Sequence, residues 1–463
     1  MTSRIWLLVT FVALQLGLGL AISRRVRRAA DFFVAGRRLP ASLVFATFLA
    51  ANIGAGSTVG AASIGYQIGL GAWWWNGSAA LGSLLLAAWA GPRLWQSAYD
   101  RGFLTVGDFL EWRYGSAVRA SAGVLVWVIS LSILAGQLVG ASSILQVVLD
   151  WPRWAGAVAG GLIAVTYFVA GGLLSSAWVN LVQLTVKLAG FALAFGFALH
   201  LVGGWSAFAA APGVPDTFTT FTGPQGQWHW FAQVMLLAPA FVVSPGLVQK
   251  AYGAESRRAV RIGVAVNAVA LMAFAICPAV LGMAARVLHP DLADVNLALP
   301  TLLAVDLPPL VGSLTLAGVL AAEISSADAV LLMLSTSFSQ DLYRRFLVPD
   351  ASDARVLRVA RTAAAAAGAI GIAMAIVIPT VVDALKIFYS VITATLFVPI
   401  AGALVTTRGA QPECLSAMAI GLAAWIFAAF GPGTGVPWLP APAFGLLAST
   451  AAFVAVMAVR GRR

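Results

Sequence analysis

Residues 49–71 read LAANIGAGSTVGAASIGYQIGLG. The stretch is apolar enough for the core of a bilayer. Yet it holds Gly54, Gly56, Gly60, Gly65, Gly69 and Gly71, with Asn52, Ser57 and Thr58 among them. A glycine inside a helix costs roughly 0.5–1 kcal/mol relative to alanine. In hydrocarbon every backbone N–H and C=O needs a partner, so irregular backbone survives only where it lines a cavity or is buried in protein. Close packing through small residues accounts for Gly60, Gly65 and Gly69. It leaves Ala50 to Thr58 unexplained, because polar side chains accompany the glycines there. That segment reads as a broken transmembrane helix.

The rest of the chain agrees. Of 463 residues, 60% are hydrophobic and only 10% charged, and the mean hydropathy is +0.91. Soluble domains carry about 25% charge, so this chain cannot cover a water-facing surface. It reads as an all-α polytopic membrane protein. Apolar runs of about 18 residues or more fall at 4–22, 41–63, 70–96, 119–146, 153–170, 177–203, 229–249, 260–285, 309–338, 357–380, 384–406, 414–431 and 441–459. The formal net charge of +11 is not spread as a nucleic-acid footprint. Its arginines cluster between spans, at Arg24–Arg28, Arg257–Arg261, Arg344–Arg345 and Arg460–Arg463. Under the positive-inside rule these loops are cytoplasmic. The N-terminus is then outside and the C-terminus inside, with the Lys- and Arg-free segment 204–228 outside. Trp73, Trp74 and Trp75 read as an interfacial aromatic belt. Cys277 and Cys414 lack CxxC spacing and read as packing residues; His200, His229 and His289 are dispersed, so no metal cluster is expected.

Five spans after the first break comes LLAPAFVVSPGLVQKAYGAES, residues 236–256. Pro239, Pro245 and Gly246 interrupt it, with Ser244 between them. Proline removes a donor and clashes with the preceding turn. Two broken spans at matching places in two halves are the mark of an inverted-repeat transporter, whose binding sites lie beside the breaks near the midplane.

Several further blocks resemble the sodium/solute symporter family. They are DFFVAGRRLP at 31–40, LAANI at 49–53, TVGDFLEWRYG at 105–115, GGLLSSAWVNLVQ at 171–183, VQKAYGAES at 248–256 and LAAEISSADAVLLMLSTSFSQDLYRR at 320–345. The resemblance runs over essentially the whole chain and implies the leucine-transporter fold. Its five-plus-five inverted repeat would occupy 41–203 and 229–406, after an extra first helix at 4–22 and before two helices at 414–459. It also implies a sodium ion between the first core helix and the eighth. Carried over by position, its ligands are the carbonyls of Ala50, Ile53 and Ala322 and the hydroxyls of Ser325 and Ser326. The residues themselves permit this: Ser325 and Ser326 lie one turn after Ala322, putting three oxygens on one helical face. They equally permit hydroxyls that bond back to their own helix.

Candidate solute contacts, named by position, are Asn52, Ser57, Asn76, Ser244, Tyr389, Ser390 and Thr393. Three residues depart from the family's pattern: Asn180 replaces an aspartate common among relatives, Lys187 follows two turns later, and Glu323 follows Ala322. Charges inside a membrane are costly and normally pair, so Lys187 and Glu323 are expected to form a buried ion pair. The expected activity is sodium-coupled symport of a small organic solute into the cell by alternating access, in the inner cell membrane. Its partners are the solute, sodium and the bilayer. No cofactor, nucleic acid or obligatory protein partner is expected. An alternative of the same fold is proton-coupled or uncoupled, using Glu323 and Lys187. A solute sensor is the other class; only RGRR follows about residue 459, so no signalling domain is expected on this chain. No nucleophile–base pair or phosphate loop points to an enzyme.

Overall fold

The computed structural model describes residues 34–223, 226, 228–436 and 438–460, with four more at 10, 13, 14 and 17. The expected first span at 4–22 lies largely outside the described residues, and of the block at 31–40 residues 34–40 are described. Among the described residues nine helices are long and apolar enough to cross a membrane, or ten if a bent pair is one span.

That bent pair is the first break. Helix α1 (Ala41–Asn52) stops at Ile53 and Gly54, which leave helical geometry at φ −92°, ψ 81° and φ −122°, ψ −159°. One turn of 3-10 helix, Ala55–Ser57, follows before α2 (Val59–Ile68) resumes. The axis turns by 75° across the break. Gly65 serves packing, since a Cβ there would collide with the Ala279 carbonyl oxygen and lie 3.0 Å from Ala279 Cα. Gly69 instead ends α2 at φ +71°, a conformation that favours glycine. The chain continues through α3 (Trp73–Leu85) and α4 (Gly91–Arg101) into a short helix, α5 (Val106–Tyr114), opened by a capping box between Thr105 and Asp108.

Helix α6 (Ser116–Leu149) crosses next. The loop expected between spans 153–170 and 177–203 is helical instead, and both spans belong to one element, α7 (Arg153–Leu201). No proline interrupts that stretch, so nothing forces the helix to end. The second break is as expected. Helix α8 (Trp228–Val243) and α9 (Pro245–Tyr252) are separated by Ser244 at φ −50°, ψ 120°. A residue before proline is pushed out of the α region, so Pro245 itself sets the interruption. Then come α10 (Arg257–Phe274), α11 (Ile276–Leu288), α12 (Pro309–Thr336), α13 (Asp353–Val377), α14 (Val381–Thr395), α15 (Phe397–Val405), α16 (Gln411–Phe430) and α17 (Ala441–Arg460). An apolar 18-residue stretch of the span that opens with α12 is wholly inside the protein, so its polar residues face neighbouring helices rather than lipid.

Candidate functional site

The backbone freed by the first break is satisfied group by group. Ala55 donates its N–H to Gln137 Oε1 of α6 at 2.8 Å. Gly54 C=O accepts from Ser57 N, Thr58 N and Thr58 Oγ1. Ser57 Oγ donates to Asn52 C=O at 2.5 Å, and Ser57 C=O accepts from Asn76 Nδ2 of α3 at 3.1 Å. Asn52 Nδ2 donates to Asn267 Oδ1 at 3.1 Å. Glycine is required at position 54: a Cβ there would stand 2.6 Å from Gln137 Oε1 and 2.5 Å from Ser326 Cβ.

The carbonyl of Ala50 faces α12, accepting from both Ser325 and Ser326. All five residues named for the cation meet there. Ser325 Oγ lies 3.1 Å from Ala50 O and 3.0 Å from Ala322 O, and Ser326 Oγ lies 3.3 Å from Ala50 O and 3.1 Å from Ala51 O. A sixth group stands among them. Lys187 Nζ of α7 donates to Ser325 Oγ at 2.7 Å, to Ile53 O at 3.4 Å and to Ala50 O at 3.5 Å.

The expected ion pair between Lys187 and Glu323 does not form. Glu323 accepts instead from Thr58 Oγ1 at 3.0 Å, and its other oxygen has no hydrogen-bond partner among the described residues. The reason is helical phase. Glu323 and Ser325 are two residues apart, about 200° around α12, so a lysine seated on Ser325 faces away from the carboxylate. Asn180 donates to Thr47 Oγ1 at 3.4 Å, and Lys250 of α9 donates to the same hydroxyl at 3.2 Å.

A cavity lies between the two breaks. Asn52, Gly54, Ser57 and Ser326 line one side and Ser244, Gly246 and Lys250 the other, with Asn76, Gln137 and Tyr389 completing the polar wall. Trp75, Phe241 and Phe388 supply aromatic surface. Trp75 is therefore a cavity wall, 3% exposed, and not part of an interfacial belt; one residue further on the helix than Trp74, it points inward. Ser390 and Thr393 are not among the lining residues. Thr393 instead donates to Leu236 C=O at 3.1 Å, because α8 packs over that face of α14. Gln137 and Lys250 were missed from sequence. Each is a lone polar residue in or beside an apolar run, which is itself a functional signal in a membrane. Among the described residues no group of three or more His, Cys, Asp or Glu could hold a metal ion.

Residues 32–421 match the model of the sodium:solute symporter family. The chain is 27% identical over 385 residues to a sodium/glucose cotransporter of Vibrio parahaemolyticus, covering 75% of this chain and 70% of that protein. It is 30% identical over 202 residues to the human sodium/iodide cotransporter, covering 43% of this chain but 31% of that protein. Rat sodium/glucose cotransporter 2 is 25% identical and matched over 59% of its length. Among solved structures, a Na+-coupled sialic acid symporter in a substrate-bound outward-open state superposes with TM-score 0.82 at 18% identity, over 98% of both chains. A nucleobase-cation-symport-1 family transporter superposes with TM-score 0.61 at 14% identity, over 94% of this chain and 96% of that one. The fold is the leucine-transporter fold that the resemblance implied. The chain belongs to the sodium:solute symporter family and is a multi-pass secondary transporter of the sodium-coupled symport class.

Proposed function

We propose that this transporter carries a small organic solute into the cell by alternating access, binding it between the two helix breaks. One observation carries the reading: the cavity is walled by both interruptions at once, Asn52 to Ser57 on one side and Ser244 to Gly246 on the other. Movement of either half-helix therefore changes the site. Hydrogen-bonding groups at Asn52, Ser57, Asn76 and Gln137 face aromatic surface from Trp75, Phe241 and Tyr389. That lining suits an amphipathic solute with one apolar or ring-shaped part. Sodium is the coupling ion of the class, and Ala50, Ile53, Ala322, Ser325 and Ser326 are the oxygens assigned to it. The inner cell membrane, an outside N-terminus and a cytoplasmic C-terminus complete the proposal, on the strength of the Arg-rich loops.

The test is a solute panel offered to protein reconstituted in liposomes under a sodium gradient, with Ser244→Leu alongside. Accumulation of one solute by the wild type, lost in a well-folded Ser244→Leu, is the expected outcome. Equal uptake by both proteins would remove the cavity between the breaks as the binding site.

A further inference from the structure

Lys187 lies in the C-terminal third of α7, about four turns before its end, with no exposed surface. A charge buried at that depth is costly and normally finds a carboxylate. This one ends on neutral oxygens. An ammonium has three N–H donors, and those of Lys187 face Ser325 Oγ at 2.7 Å, Ile53 O at 3.4 Å and Ala50 O at 3.5 Å. These atoms come from the interrupted end of α1 and from α12, the two elements assigned to the cation.

The approach is built into the backbone. A Cβ at Gly318 would lie 3.1 Å from Lys187 Cα, and one at Gly190 would lie 3.0 Å from Thr315 Cα. Helices α7 and α12 thus touch almost backbone to backbone, and the lysine stem runs from that contact to Ser325. Glu323 does not compete for the ammonium, because Thr58 holds it on the other side of α12.

Resting on the transporter reading, we propose that the ammonium of Lys187 is a tethered cation that holds α1 against α12, and that it and a free sodium ion exclude each other at these oxygens. The two carry the same charge and share three of the groups assigned to the cation, Ala50 O, Ile53 O and Ser325 Oγ. One shell of oxygens cannot contain both. In the conformation seen here the resident is the lysine.

The test titrates purified protein in detergent with sodium chloride against choline chloride at constant ionic strength, reading the unfolding temperature. Lys187→Met keeps the stem and removes the charge. The expected result is a sodium-dependent rise in Lys187→Met, half-complete at a sodium concentration at least about tenfold below that of the wild type. The same half-point in both proteins, or no sodium response in either, overturns the proposal. If Lys187→Met does not fold, Lys187→Cys is made in a chain lacking Cys277 and Cys414 and alkylated with bromoethylamine, which restores a lysine-like ammonium. A sodium response present before alkylation and lost after it supports the proposal; a response unchanged by alkylation overturns it. No solute enters this experiment, so failure to find a transported solute leaves its outcome unaffected.

Discussion

Replacing Gln137 with leucine tests how the first break is held open. Gln137 is 3% exposed, and its Oε1 accepts the N–H of Ala55, itself fully buried, at 2.8 Å. Leucine nearly matches the volume but leaves that N–H without an acceptor. An unsatisfied buried donor costs about 1–3 kcal/mol. At about 1.4 kcal/mol per factor of ten, the break should open roughly 5- to 150-fold more often. Hydrogen exchange followed by mass spectrometry on peptides spanning residues 49–60 reads this directly. Ser142→Ala, on the same helix, is the control: its hydroxyl bonds only its own turn, to Val139 C=O at 2.8 Å, so exchange near the break should not change. Unchanged exchange in Gln137→Leu would refute the idea that this side chain supports the unwound backbone.

Two further outcomes are expected. Glu111 lies on α5, where burial would raise its carboxyl pKa but hydrogen bonds and charge from Arg345 and Arg119 outweigh it and hold the value below the ordinary carboxylate range. Its contribution to stability is therefore present above that range and lost as pH falls through the lowered value. Glu111→Gln should flatten the acid side of a stability–pH curve, and an unchanged curve would deny the carboxylate that role. In a chain lacking its two native cysteines, Pro215→Cys should react with an impermeant thiol reagent on intact cells and Asp350→Cys should not; the reverse pattern would invert the proposed orientation.

The positions of both breaks were legible in the sequence because their chemistry is local. Glycine with hydroxyls interrupts α1, and Ser244–Pro245 interrupts α8, whatever surrounds them. The convergence of Ala50, Ile53, Ala322, Ser325 and Ser326 was legible only through the resemblance, since it needs two helices far apart in the chain. Side-chain reach was not legible. The resemblance placed Lys187 and Glu323 on neighbouring helices, but the two-residue offset between Glu323 and Ser325 decided which group the lysine met. Helical phase likewise separated Tyr389, which lines the cavity, from Ser390, and the packing of α8 took Thr393 out of reach. The continuous helix across 171–176 was missed because the apolar runs were divided there, although no residue in GGLLSS forbids a helix.

The measurement that bears most directly on the solute site is a cryo-electron microscopy structure in lipid nanodiscs with a solute that the transport panel identifies. The account predicts density between the two breaks, touching Asn52 or Ser57 on one side and Ser244 or Tyr389 on the other. Density elsewhere, such as in the separate cleft lined by Gln67, Gln233 and Lys386, with the space between the breaks filled only by side chains, would contradict it.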